Sequence, residues 1–208
     1  MFTIDWNKYR LIDLSYEVIS PGSEERPFKV ERSFLPDRAY KHQVLTHSHV
    51  GTHVEAASHF YEGGRDINEY PIEAFMGRGI LFETEPGMVT QEGIEKSIGD
   101  LIQPGDIVIC RNKAMSPENF SYLTPESARW LAVKRIKMVG IDCNFELGKD
   151  IEETRLVHDI LMSQGVTFIE FLDHLDLITR KEFFFIALPY KVKLDSSWTR
   201  AIAIEEVP

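Results

Sequence analysis

Five of the seven histidines fall within residues 42–59, and this density is the first sign of chemistry in the chain. If residues 43–59 form an extended strand, side chains two positions apart point to the same side. The opposite face is small or apolar, whereas one face gathers most of the imidazoles with a carboxylate and a glycine: His47, His49, Gly51, His53, Glu55, Ala57 and His59. Divalent cations take imidazole nitrogen and carboxylate oxygen together, so this face predicts a metal site.

The ligands that this pattern favours are His49, His53 and Glu55. Imidazoles crowded on one face would repel one another on protonation unless something holds them neutral. Gly51 lies between the two histidines and has no side chain to block a bound ion or substrate. The alternative is a solvated polar strand face, and we assign His42 and His47 to such a surface.

A second carboxylate and a further histidine occur downstream. Glu170 is in line with Phe168 in an apolar strand, where an unpaired ionised carboxylate is costly, so a compensating cation or hydrogen-bond network is expected. His158 shares a helix face with Leu161 and Met162, the spacing of a buried stripe. From spacing alone two alternatives stay open: His158 as a satisfied core histidine, and Glu170 as the partner of an Arg or Lys.

Short runs rich in Val, Ile and Phe predict the strands that must position these side chains. They cover residues 10–18, 43–59, 79–84, 106–111, 138–142, 166–171, 183–189 and 200–204. Helices are predicted over 90–97, 124–133 and 150–164, the last with Asp150 and Glu153 as a capping pair and Gly165 as its stop. No repeat or linker marks a boundary, so the alternation predicts one α/β domain, residues 1–208, with a mixed sheet.

Composition narrows the class of protein. The 208 residues carry 23 basic and 33 acidic side chains, a formal charge of −10, and no Lys/Arg-rich run, which argues against a nucleic-acid partner. No run approaches the roughly 18 uncharged apolar residues of a membrane span, and residues 1–10 are too polar for a signal peptide. Cys110 and Cys143 lie in apolar surroundings and are expected in the core. These features predict a cytoplasmic protein without a membrane partner.

The segment from His49 to Phe60 reads HVGTHVEAASHF. It resembles the HxGTHxDxPxHF motif of the cyclase family of metal-dependent hydrolases, which includes bacterial kynurenine formamidases. The resemblance continues in order through residues 63–77, 105–108, 139–142, 158–172 and 199–203, and so covers nearly the whole chain.

The resemblance implies a ligand set and an assembly. His49, His53 and Glu55 would bind one divalent ion, with zinc expected and manganese as the alternative. His158 and Glu170 would bind a second, with Glu55 bridging the two. His59 would be the catalytic imidazole. The implied fold is a swivelling β/β/α arrangement, and the implied assembly is a homodimer or a larger homo-oligomer.

Two positions depart from the family motif. Glu55 stands where the family has Asp, and its extra methylene carries the carboxylate about 1.5 Å further. Bridging, metal count and metal identity all depend on this change, because metal–ligand distances vary little. Ala57 replaces the family's Pro, which removes a rigid φ but no ligand.

The predicted activity is hydrolysis of a small-molecule amide, formamide or lactone. A bound metal lowers the pKa of water and stabilises the developing oxyanion, and His59 would act as general acid and base. Two alternatives stay open. One is a metal-dependent lyase or cyclase, in which His59 moves a proton and no water is added. The other is a non-catalytic binding protein whose site Glu55 has made degenerate.

Overall fold

The apolar runs form most of the strands in the computed structural model, which describes residues 4–114 and 118–207. The ends of the predicted domain and residues 115–117 lie outside the described residues. The strands are β1 (Tyr9–Asp13), β2 (Phe28–Phe34), β3 (Tyr40–Thr46), β4 (His53–Glu55), β5 (Met76–Thr84), β6 (Gly87–Val89), β7 (Ile107–Asn112), β8 (Ser121–Leu123), β9 (Met138–Asp142), β10 (Phe145–Glu146), β11 (Thr167–Leu172), β12 (Glu182–Pro189) and β13 (Ser196–Glu206).

One large sheet closes on itself through β4. Among the described residues it has eight strands in the order β1-β13-β12-β5-β7-β9-β11-β4. Because β4 pairs antiparallel with β11 on one edge and with the start of β13 on the other, the strands form a barrel-like ring. The run from β5 through β7 and β9 to β11 is parallel. This mixed sheet confirms the predicted α/β fold class.

Three α-helices occur within the described ranges, α1 (Gln91–Ile98), α2 (Pro125–Val133) and α3 (Ile151–Met162). Each begins after a residue whose side chain accepts a hydrogen bond from a backbone N–H of the first turn, which stabilises the helix start: Thr90, Thr124 and Asp150. The Asp150 carboxylate accepts from the backbone N–H of Glu153 at 2.9 Å, as the capping pair predicts. None of the helices in the described residues has the length and apolar character needed to cross a membrane.

The sheet separates two hydrophobic cores. Every second residue along each strand points into the ring, where Val54 and Ile169 are fully buried. The other face of the parallel strands packs against the helices, where Phe168 and Val157 are buried. This alternation turns His53, Glu55 and Glu170 outward from the ring, toward α3.

The predicted strand over residues 43–59 is wrong in its middle. The chain leaves β3 at Thr46, turns through residues 47–52 and enters the short β4 at His53. Gly51 has φ +67°, in the left-handed region that glycine adopts without strain, and the turn breaks the pleat. Ala57–His59 then form a 3₁₀ turn. The alternation therefore holds only for His53 and Glu55, and His49 and His59 reach the site from turns.

The predicted strand over residues 10–18 is too long, because β1 ends at Asp13. No strand was predicted over Phe28–Phe34, where β2 forms a hairpin with β3. Most of this hairpin is exposed on both faces, so it lacks the alternation of apolar and polar residues that marks a half-buried strand. Pattern reasoning also missed β6, β8 and β10, which are three residues long or less and form a separate parallel sheet.

The cysteine prediction is half right. Cys110 is buried on β7, but Cys143 is exposed because it lies in the turn that follows β9. Asp142 shapes this turn, accepting hydrogen bonds from the backbone N–H groups of Asn144 at 2.7 Å and Asn112 at 2.8 Å. The apolar run ahead of Cys143 belongs to the strand, and the chain has left the core by the time it reaches the thiol.

Candidate metal centre

The centre is built around β4. His53 and Glu55 lie two residues apart on this strand and therefore share a face, and they are 0% and 3% exposed. Glu170 on β11 is the direct cross-strand neighbour of His53. Their side chains meet on that face, with the Nε2 atom of His53 3.9 Å from Glu170 Oε2. Sheet pairing thus brings Glu170 to His53 and Glu55, which are more than 110 positions away in the sequence.

His49 joins these groups from the turn before β4. Its Nδ1 atom lies 2.8 Å from Glu55 Oε1 and 3.2 Å from His53 Nε2, and the third edge, His53 Nε2 to Glu55 Oε1, is 3.3 Å. A tetrahedral zinc ion with bonds of about 2.0–2.1 Å has neighbouring donor atoms roughly 3.3 Å apart. The three donor atoms therefore have the spacing of one face of such a site.

The second oxygen of Glu55 points the other way. Oε2 is buried and has no hydrogen-bond partner among the described residues. Nε2 of His158, on the buried face of α3, lies 3.8 Å from it. A buried carboxylate oxygen without a partner is costly, and a cation between Glu55, His158 and Glu170 would relieve that cost. His53, Glu55 and Glu170 form one group of donor atoms close enough together to hold an ion, and His49, Glu55 and His59 form another.

Each predicted histidine ligand is held through its other ring nitrogen. His53 Nδ1 lies 2.8 Å from the carbonyl oxygen of Gly51, and His158 Nδ1 lies 2.7 Å from that of Thr154. His49 Nε2 lies 3.0 Å from the Asp195 carboxylate. With the proton on the nitrogen that faces the oxygen, the opposite nitrogen of each ring would be free to bind a metal ion beside Glu55. This is the arrangement that orients histidines around metal ions.

The charges in the centre depend on one another. Burial would raise the pKa of Glu55, but the imidazoles of His158, His49 and His53 outweigh it and hold that pKa well below its usual range. Burial and the nearby charge of Glu55 raise the pKa of Glu170. Burial acts to lower the pKa of His49, yet its contacts with Glu55 and Asp195 raise it overall. Buried negative charge thus attracts protons here, and it would attract a divalent cation by the same force.

His59 lies at the edge of this cluster, at the end of the 3₁₀ turn. Its Nε2 atom is 3.9 Å from Glu55 Oε1, and its Nδ1 atom is 2.8 Å from Asp195 Oδ2. The same Asp195 oxygen therefore contacts both His49 and His59. Sequence reasoning missed Asp195, because it lies in the bend before β13, 136 positions from His59, and belongs to no recognisable motif.

The cluster opens into a cavity of about 410 Å³ whose lining includes the predicted residues His49, Glu55, His59, His158 and Glu170. Of the two histidines assigned to solvated surface, His47 lies at the rim of this cavity and His42 is exposed on β3. Phe60 packs against both His59 and His158, at 4.5 and 4.7 Å between ring centroids. The volume suits a small organic molecule.

The sequence model of the Cyclase family matches residues 12–145, which include His49, His53, Glu55 and His59. The chain belongs to the Cyclase family.

Relatives of known sequence or structure agree with this membership. The kynurenine formamidase of Bordetella avium strain 197N is 23% identical over 168 residues, spanning 78% of this chain and 79% of that protein. A solved structure described as a potential metal-dependent hydrolase with cyclase activity is 26% identical, covers 96% of this chain and 100% of its own, and has a TM-score of 0.74. Isatin hydrolase A of Labrenzia aggregata, 22% identical, shares the fold over 97% of this chain and 95% of its own with a TM-score of 0.77.

In this Cyclase-family chain, Glu55 occupies the position of the motif's Asp without disrupting the cluster. Its Oε1 atom contacts His49 and His53, and its Oε2 atom faces His158. The longer side chain thus reaches both halves of the donor set. The replacement of the motif's Pro by Ala57 leaves the 3₁₀ turn in place, since the backbone N–H of Phe60 still donates to the Ala57 carbonyl oxygen.

Proposed function

We propose that this protein is a metal-dependent hydrolase that adds water across the C–N bond of an amide or formamide, or across the ester bond of a lactone. The observation that carries the proposal is the shared orientation of His49, His53 and His158. Each turns one ring nitrogen to an oxygen acceptor and the other toward Glu55. The similarity to a kynurenine formamidase and to isatin hydrolases supports hydrolytic chemistry of this kind.

The residues proposed to hold the metal form two groups that share Glu55. His49, His53 and Glu55 would hold one ion, and His158 and Glu170 would hold a second together with Glu55. Zinc suits the imidazole and carboxylate donors, and manganese is the alternative. When bound, the metal supplies a Lewis acid that acidifies water and polarises the substrate carbonyl.

His59 is proposed to move the proton. Its imidazole is 28% exposed at the cavity, so it can reach a leaving group, and it lies close to the proposed ligands. Asp195 bonds to Nδ1 of His59 and would keep the proton there, which leaves Nε2 directed into the site. We assign Asp195 the role of a positioning residue, because it acts through His59 and His49.

The test combines metal analysis with product analysis. We expect the wild-type protein to bind a divalent ion and to hydrolyse at least one member of a panel of aryl formamides, amides and lactones, with oxygen-18 from labelled water in the acid product. His53→Ala should lose the metal and at least 99% of the activity. His42→Ala, an exposed histidine on β3, is the matched control and should change neither.

Other outcomes would point elsewhere. Turnover without oxygen-18 incorporation would show a lyase or cyclase reaction. Ligand binding without turnover under any divalent metal, with activity gained on Glu55→Asp, would show a binding protein with a degenerate site. A metal-free protein with unchanged activity in His53→Ala would refute the metal site itself.

We further propose that the protein is a homodimer or larger homo-oligomer in the cytoplasm. The hairpin of β2 and β3 pairs with no other strand of the described residues and exposes Phe34, Tyr40 and Leu45 by 62–66%. An isolated hairpin is marginally stable in water, so a second copy packed on it would stabilise it. Light scattering of the purified protein tests the assembly.

The proposed location in the cytoplasm rests on the cysteines. The thiols of Cys110 and Cys143 are free, which suits a reducing compartment.

A further inference from the structure

Arg26 stands between two cavities. It contributes to the wall of the 410 Å³ cavity that holds the candidate metal centre, and also to the wall of a neighbouring cavity of about 430 Å³. Of all the described lining residues, it is the one the two cavities share. A group that touches Arg26 from the second cavity would therefore lie next to the metal centre.

The guanidinium of Arg26 lies near two carboxyls of the metal cavity: burial raises the pKa of Glu146 and of Glu170, and the positive charge of Arg26 acts against that rise. One of its amino groups donates to the carbonyl oxygen of His49, and its central carbon lies 4.2 Å from the ring centroid of Phe171. No carboxylate of the described residues forms an ion pair with it. Since a guanidinium has five N–H donors in a rigid fork, donors remain for a ligand.

The platform beneath Arg26 is strained. Phe171 has φ +57°, a left-handed conformation that is rare for a bulky side chain, at an irregularity in the pairing of β11 with β9. The Thr52 hydroxyl donates to the Phe171 carbonyl oxygen at 2.6 Å and so stabilises this conformation. The Phe171 ring thus contacts the Arg26 guanidinium and also stacks with the His53 ring, 5.9 Å away between centroids. Such strain is typical of sites that bind ligands.

The second cavity is largely apolar. Its walls include Val18, Ile19, Val50 and the Phe171 ring, and its volume is within the range of small-molecule sites. Glu17 is the carboxylate in the described part of its lining, and it makes no ion pair with Arg26. A ligand with an apolar body and an anionic group would therefore contact the apolar walls of the second cavity and the Arg26 guanidinium where the two cavities meet.

We infer that Arg26 binds a carboxylate of the substrate, so that the substrate is an apolar or aromatic carbonyl compound that carries a carboxylate in addition to the bond that is cleaved. The apolar part occupies the second cavity, and Arg26 holds the carboxylate at the boundary with the metal centre. That the ligand is a substrate rests on the proposed function, but binding of its carboxylate by Arg26 requires no metal.

The experiment uses the metal-free protein and two probes of equal shape, phenylacetate and phenylacetamide, in titration calorimetry. A charge-assisted hydrogen bond contributes about 1.5–3 kcal/mol, which corresponds to roughly ten- to a hundredfold in affinity. We expect wild type to bind phenylacetate at least tenfold more tightly than phenylacetamide. Arg26→Gln should remove this preference and leave phenylacetamide binding within twofold. Arg32→Gln is the matched control, because Arg32 also stacks on an aromatic ring, that of Tyr40, but on the exposed hairpin.

A second pair of variants keeps the test decisive if Arg26→Gln fails to fold. Ile19 lines the cavity and is 69% exposed, so it tolerates a polar side chain. Ile19→Glu should weaken phenylacetate binding several-fold relative to Ile19→Gln, with phenylacetamide unaffected. Equal affinity for the two probes in wild type, or an undiminished preference in Arg26→Gln, would overturn the inference. Loss of hydrolysis in the metal assay would not, since these titrations are made without metal.

Discussion

Two sets of side chains meet at the candidate metal centre, and the protein holds them differently. His53 and Glu55 stand on β4, which is paired along both edges, and they are almost completely buried. His49, His59 and Asp195 stand on turns, and their side chains are 22%, 28% and 32% exposed. The strand positions its residues through backbone pairing, whereas the turns rely on side-chain hydrogen bonds, in which Asp195 joins His49 and His59.

This difference suggests a division of labour. A buried, doubly paired strand gives rigid donors of the kind a metal ion requires. The partly exposed turns hold one proposed ligand, His49, and also His59, whose imidazole can exchange protons with substrate and solvent.

The largest effect is expected from His59→Ala. Removal of a general acid or base typically lowers kcat by about 10²–10⁴-fold, and the metal content should remain that of wild type because His59 is proposed to move a proton rather than to hold the ion. Steady-state kinetics and elemental analysis of the same preparation measure both.

His47→Ala is the control for His59→Ala, because His47 is also an exposed histidine of a turn at the cavity rim. It should change kcat by less than about threefold. If His59→Ala loses its metal, the division between strand and turn fails, since His59 would then be a ligand of the group formed by His49, Glu55 and His59.

A smaller effect is expected from Asp195→Asn. Changes of groups that orient metal ligands and catalytic histidines typically cost about 10–100-fold in affinity or activity. We expect kcat to fall by this factor with KM nearly constant and metal affinity weakened, because the amide no longer holds the ring protons of His59 and His49. Asp173→Asn is the matched control, because the Asp173 carboxylate accepts from the neighbouring backbone N–H of His174 and from no other group of the described residues. Equal effects of the two substitutions would argue against a positioning role.

The smallest effect is expected on an exposed pair of strand residues. Asp13 on β1 accepts a hydrogen bond from Arg200 on β13 at 2.8 Å, and this contact lowers the pKa of Asp13 below its usual value of 3.8. The pair therefore stabilises the protein above pH 3.8 and loses that contribution as the pH falls through the lowered pKa of the folded state. Because both side chains are exposed, Asp13→Asn should lower Tm by only about 1–2 °C at pH 7.

Thermal melts at pH 7 and near pH 2 check the Asp13 prediction, and the difference between wild type and Asp13→Asn should vanish at the lower pH. A large difference at both pH values would mean that Asp13 acts through something other than its charge. A small effect would show that a strand position alone does not make a residue important, and that burial is also needed.

The sequence predicted which side chains come together better than it predicted the path of the chain between them. The two-residue spacing of His53 and Glu55 implied a shared face, and β4 has that geometry. The extended reading of residues 43–59 was wrong because a left-handed glycine turn precedes β4. His49 and His59 nevertheless reach the cluster, since the turns on either side of the strand bring them back to its outer face.

Local patterns in the sequence were enough to assign some side chains to a face of their strand or helix. Alternation placed Glu170 with Phe168 on one face of β11, and helical spacing placed His158 on the buried face of α3. The tertiary structure alone decided that Asp195 contacts His49 across 146 positions and that Arg26 separates two cavities. The physical reason is range: side-chain periodicity is a property of neighbouring residues, whereas these contacts exist only once β4 has closed the sheet between β11 and β13.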